Sequence, residues 1–126
     1  MIFEMNYDEI PIKALNISTR MRLSECLNSE QVITTQNGFA RDYRGIAQLM
    51  GFSYATISSF SRSSDPFKNL LECYERQSKG CLGDLMKMIE QIERFDVIDD
   101  LISFLKSDAE QYNQNKCQGT FFMLEI

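Results

Sequence analysis

The spacing of apolar residues between Asp42 and Leu105 limits most strictly what this chain can fold into. They recur at intervals of three and four, in short groups, and each group lies between residues that start or stop helices. Asp42 stands before Tyr43, Ile46, Ala47 and Met50, and Gly51 follows as a stop. Ser53 precedes Tyr54, Ile57 and Phe60, after which Ser61 to Ser64 make a serine-rich turn. Asp65-Pro66 is the clearest start. Aspartate accepts from free amides, and proline at the first helical position has no amide to leave unpaired. Its stripe, Phe67, Leu70, Leu71 and Tyr74, ends before Gly80, and each side chain contributes about 1.5–3 kcal/mol if fully buried. A fifth group follows at Leu82, Leu85, Met86, Ile89 and Ile92, with the methionines read as core filling. A sixth begins near Asp96 with Ile98, Leu101, Ile102 and Leu105.

Upstream, Leu15, Met21, Leu23 and Leu27 predict a first helix, with Asn16 or Ser18 as N-cap. Between it and Asp42 lies a long polar loop with an Asn37-Gly38 turn and one short β-prone pair, Val32 and Ile33. The tail, Gln111 to Ile126, is polar and then abruptly apolar at Phe121, Phe122, Met123 and Leu124. No repeat or low-complexity block interrupts this order, so the prediction is an all-α bundle of six short helices around one core.

Composition excludes several functions. A chain of 126 residues, 44% of them hydrophobic, suits one domain burying roughly two thirds of its unfolded surface. Its apolar groups are too short to span a bilayer, and Met1 to Met5 lacks the basic start of a secretory signal, so a cytoplasmic protein without membrane insertion is expected. Cys26, Cys73, Cys81 and Cys117 include no CxxC pair, and there is no histidine, so neither a zinc cluster nor any other metal or cofactor is expected. Cys26 and Cys73 read as small apolar helix residues, and no disulfide is needed. Without histidine the usual general base is missing, together with the Ser-His and Cys-His arrangements. Asp99 and Asp100, at a helix start, complement the helix dipole rather than form an acid/base pair. The expectation is a protein that is not an enzyme.

Ile46 to Ser58 also fits a helix-turn-helix, with Gly51 at the turn. On that reading Tyr54, Thr56, Ser59 and Arg62 would contact DNA. Arg62 is the only cation on that helix and the net charge is -5, whereas binding that neutralises several phosphates needs several cations. Nucleic acid is therefore the second choice.

More of the chain fits another pattern. Leu15-Asn16, Arg20 to Ser24 and Leu27-Asn28, then Asp42-Tyr43, Ala47, Met50, Phe52, Tyr54, Ile57, Asp65-Pro66, Leu70-Leu71, Gly83 and Arg94-x-Asp96-Val97 resemble the death domains of the myeloid differentiation primary response adaptor family. The resemblance covers residues 11–112 and runs without a gap from Asp42 to Val97. It implies a six-helix antiparallel Greek-key bundle, the death fold, in an adaptor that couples Toll and interleukin receptors to death-domain kinases. Residues 1–10 would then be an N-terminal extension, and 113–126 a tail or linker toward a Toll/interleukin-receptor domain beyond Ile126.

The resemblance further implies self-association and stacking with the death domains of interleukin-receptor-associated or Pelle-like kinases, or of a Tube-like adaptor. Family contact positions fall on Arg22 and Ser24, on Gln48, on Tyr54 and Ser58, and on Arg94 and Asp96; Arg62 is counted with them. Arg94 is the leading candidate, because arginine pairs with a carboxylate in a bidentate way across an interface. Two departures stand out. Gln48, Thr56 and Ser58 replace charged residues of vertebrate members, and the stretch from Asn28 to Asp42 is longer, which points to an invertebrate member.

Overall fold

A computed structural model describes the backbone over residues 5–77 and 80–125, and side chains within that range as far as residue 116. Among the described residues there are six α-helices and no strand: α1 (Ile17–Leu27), α2 (Tyr43–Leu49), α3 (Tyr54–Ser61), α4 (Pro66–Arg76), α5 (Leu82–Gln91) and α6 (Phe95–Glu125). Two single-turn 3-10 helices, Tyr7–Glu9 and Ile12–Ala14, precede them. Helix α1 lies mainly against α4 and α6, and α2 packs on α3, α4 and α5. This is the antiparallel six-helix arrangement expected.

The helix starts follow from the capping residues. Asp42 Oδ1 accepts from the Arg44 amide at 2.9 Å, Ser53 Oγ from Thr56 at 3.3 Å and Asp65 Oδ1 from Lys68 at 3.2 Å. Gly51 ends α2 at φ +92, a conformation that costs glycine least. Gly45 has a different cause. A Cβ there would collide with the Ala40 carbonyl and press on Ile92, so its absence lets α2 approach the preceding loop and the end of α5.

The stripes of α4 and α5 are buried as spaced: Phe67, Leu70, Leu71 and Tyr74, then Leu82, Leu85 and Ile89, with Ile92 just past the helix end. Elsewhere the phase differs. Leu15 is buried, but it belongs to the turn before α1, so the inward face of α1 is Thr19, Leu23 and Leu27, and Met21 points out. In α6 the inward residues are Val97, Leu101, Leu105 and Ala109, four apart, and Ile102 is turned away. Tyr54, which marks α3 with Ile57 and Phe60 and is also a candidate contact position, is exposed, and Phe60 is that helix's one buried residue.

Asn16 is the N-cap of α1, yet its side chain does not cap. Its amide N–H and Nδ2 instead donate to the buried carboxylate of Asp108 on α6, at 3.1 and 2.7 Å. A carboxylate at the positive end of α1 is electrostatically well placed. The residues before α1 also enter the core: Ile10 and Ile12 are buried, and the Leu82 amide donates to the Ile10 carbonyl at 2.8 Å. Helix α6 continues through the stretch that the sequence left as a tail; the side chains of Phe121 to Leu124 lie outside the described residues. Among the described residues, no helix is long and apolar enough to cross a membrane.

Candidate protein-interaction surfaces

A groove of about 410 Å³ runs between α1 and α4. Phe67 and Leu71 form its buried floor, and Ile17 and Met21 stand at its edge, 76% and 62% exposed. Two cross-helix ties hold the walls. At one end the Arg20 Nη1 meets Glu75 Oε1 at 2.6 Å. At the other, Asn28 bridges the end of α1 to the start of α4: its Nδ2 donates to Asp65 at 2.8 Å, and its Oδ1 accepts from the Phe67 amide at 2.8 Å. Burial raises the pKa of the Asp65 carboxyl, but hydrogen bonds from Asn28, Ser24 and the Lys68 amide outweigh this and hold it below the usual range. Ser24 is thus only 6% exposed, a groove-wall residue rather than free surface. A smaller cleft of about 280 Å³ adjoins, lined by Met21, Ser24, Glu25, Asn28, Ser64 and Asp65.

The second surface belongs to α2 and α3. Gln48 is exposed, Tyr54 is 86% exposed, Ser58 is half-buried, and Arg62 is exposed at the C-cap of α3. Phe52 packs edge-on to Phe60, ring centroids 5.4 Å apart, and this fixes the turn that presents Tyr54. The DNA reading is not supported here. The Thr56 and Ser59 hydroxyls are engaged locally, with Ser53 Oγ at 3.0 Å and the Thr56 carbonyl at 2.6 Å, and Arg62 stands at the helix end.

The third surface is the corner between α5 and α6. Glu93 sits at φ +60, and its carbonyl accepts from Arg41 Nη2 at 2.9 Å. Arg94 is 13% exposed and spends its donors inside the molecule. Nη1 reaches the Arg41 carbonyl at 2.8 Å, Nη2 the Cys26 carbonyl at 3.3 Å, and Nε and Nη2 grip Asp96 at 3.0 and 3.1 Å. The bidentate carboxylate partner expected across an interface is its own Asp96. That hydrogen bond holds the Asp96 carboxyl below the usual range while leaving the residue exposed. Arg22, though exposed, is also engaged: its guanidinium lies 4.6 Å over the Phe104 ring.

The structure therefore distributes the eight sequence candidates over these surfaces. Ser24 lies in the groove and Arg22 turns toward α6; Gln48, Tyr54, Ser58 and Arg62 occupy α2–α3; Arg94 and Asp96 pair at the corner. Sequence reasoning missed the groove edge, because Met21 served there only as one of the apolar residues marking the first helix. It also left unused Val32 and Ile33, which are 96% and 72% exposed. Their loop is held in place: the Gln31 amide donates to Asp42 at 2.7 Å, the Arg44 Nη2 to the Gln31 carbonyl at 3.2 Å, and the Tyr43 hydroxyl to Glu30 at 2.7 Å. Burial, followed by that bond to Glu30, pushes the Tyr43 hydroxyl up to about 12. Two β-branched apolar residues in an otherwise polar loop were the available signal.

Asp8, Cys81 and Asp84 bring three potential ligand atoms within 4.8 Å of one another. They gather at the positive end of α5, where Cys81 Sγ accepts from the Asp84 amide at 3.4 Å and Lys87 approaches Asp8 at 4.0 Å. The arrangement is that of a capped helix start.

Six antiparallel helices with several unlike surfaces define a helical protein-interaction module. The death domain family model matches residues 30–105, from the α1–α2 loop into α6, and the chain belongs to the death domain family. Death domains are interaction modules that bind other death domains.

Proposed function

We propose that this chain is a cytoplasmic adaptor module of Toll/interleukin-receptor signalling, which stacks with copies of itself and recruits death-domain kinases of the interleukin-receptor-associated or Pelle type, or a Tube-like adaptor. One observation carries the stacking: an apolar groove on α1–α4 and an exposed tyrosine on α3 occur on different elements of one small domain. Such unlike surfaces pair head to tail, and a contact that does not close by rotation continues as an open helical array. An array concentrates the kinases bound to it, so the chemistry belongs to the partner. The resemblance across Asp42 to Val97 supports the Toll assignment. The uncharged Gln48, Thr56 and Ser58 favour a partner surface without strong charge.

Light scattering tests the pairing. Ser24→Tyr, which fills the groove, and Tyr54→Ala, which removes the aromatic, should each abolish extended assembly. Mixed together they should form a limited complex, since each keeps the surface the other lacks. Assembly of either variant at the parent's level would sink the proposal, and so would a parent that binds no death domain.

A further inference from the structure

We propose that Ser64 is a phosphorylation site for an arginine-directed serine kinase, and that its phosphate closes the α1–α4 groove to a partner. The second half rests on the stacking function above. The first rests on the turn between α3 and α4.

Residues 58–64 contain five serines, and the structure separates them. Ser59 donates to the Thr56 carbonyl, Ser61 to the Ser58 carbonyl at 2.6 Å, and Ser63 Oγ accepts from the Asp65 amide at 3.1 Å. Ser58 is half-buried on α3. Ser64 is exposed on the turn, and its hydroxyl has no hydrogen-bond partner among the described residues. Two residues earlier, Arg62 is exposed and makes no ion pair among the described residues, leaving its guanidinium available to an acidic kinase subsite. Exposed turns between helices are the segments most accessible to modifying enzymes.

In the reaction, Ser64 Oγ attacks the γ-phosphorus of ATP and a new O–P bond forms. The bond to the bridging oxygen breaks, ADP leaves, and the hydroxyl proton passes to a carboxylate of the kinase. The product carries about -1.5 to -2 charges at neutral pH. Ser64 borders the smaller cleft, which shares Met21, Ser24 and Asp65 with the groove but also holds Glu25. A phosphate there adds to two carboxylates beside the groove's apolar edge, and a partner docking on Met21 would have to strip it of water. Ser64 itself is not part of the groove lining.

The test uses the full chain with Mg-ATP and the catalytic subunit of an arginine-directed serine kinase, with the phosphate mapped by tandem mass spectrometry. Phosphate should appear on Ser64, disappear in Ser64→Ala and form more slowly in Arg62→Ala. Phosphate confined to other residues, or none, overturns the site. Light scattering before and after should show assembly weakened by at least about tenfold, as expected when a docking partner must desolvate a charged phosphate, while Ser64→Ala assembles like the parent in both conditions. Unchanged assembly of the Ser64-phosphorylated chain overturns the closure. An unmodified chain that fails to assemble refutes stacking, and the closure with it, while the mapping still decides the site.

Discussion

Helices α3 and α4 share a turn and pack on each other, but they are stabilised in opposite ways. Helix α4 buries Pro66, Phe67, Leu70, Leu71 and Tyr74, and side chains of α1 and its C-cap reach both its ends, Asn28 at the start and Arg20 at Glu75. Helix α3 buries Phe60 alone, and its hydroxyls bond within their own turn. Stability is lodged in the first and display in the second. A helix whose bonds are all local can change its outward residues without disturbing the bundle, which is what a partner-selecting surface requires.

The sharpest challenge to this contrast is Leu70→Ala. It should lower the unfolding free energy by about 2–5 kcal/mol in a denaturant titration; a loss under about 1 kcal/mol would show that α4 is not the framework. A smaller effect belongs to the tie between helices. Asp65→Ala removes a cap and leaves Asn28 short of an acceptor, which should cost about 1–3 kcal/mol. The same tie predicts a pH dependence. The folded carboxyl titrates below its ordinary value, so its contribution is full above about pH 4 and declines as the pH falls through the folded value. Asp65→Asn should flatten that part of the stability curve, and an unchanged acid limb would mean the tie carries no charge. The smallest expected change is in Tyr54→Ala, whose stability should stay within about 0.5 kcal/mol of the parent by thermal melting. A larger loss would make Tyr54 a packing residue and erase the distinction.

The same contrast explains what could be read from the sequence. Helix α4 was legible in full, since Asp65-Pro66 and its stripe are local signals and the core obeys them; α2 and α5 follow for the same reason. In α1, Leu15, Thr19, Leu23 and Leu27 keep one four-residue phase, and Met21, grouped with these leucines in the sequence, falls off it and faces out. Periodicity groups Tyr54 with Ile57 and Phe60, but spacing alone does not tell that the structure leaves Tyr54 86% exposed. Arg94 was recognisable as important, though not its role: it bonds a carbonyl 68 residues away, and no local spacing encodes that. The groove itself needs two helices with the long α1–α2 loop and two further helices between them in sequence, so it became visible only in three dimensions.

The carboxylate of Asp108 that receives Asn16 joins positions 92 residues apart. Contacts between distant positions close more slowly than those between adjacent helices, because the intervening chain must first lose its freedom. Helix α1 is one wall of the groove, so the start of that wall gains its tie to α6 only when the two ends of the domain meet. On the stacking proposed above, a chain still being synthesised would lack this tie, and the order of folding would favour assembly of complete domains.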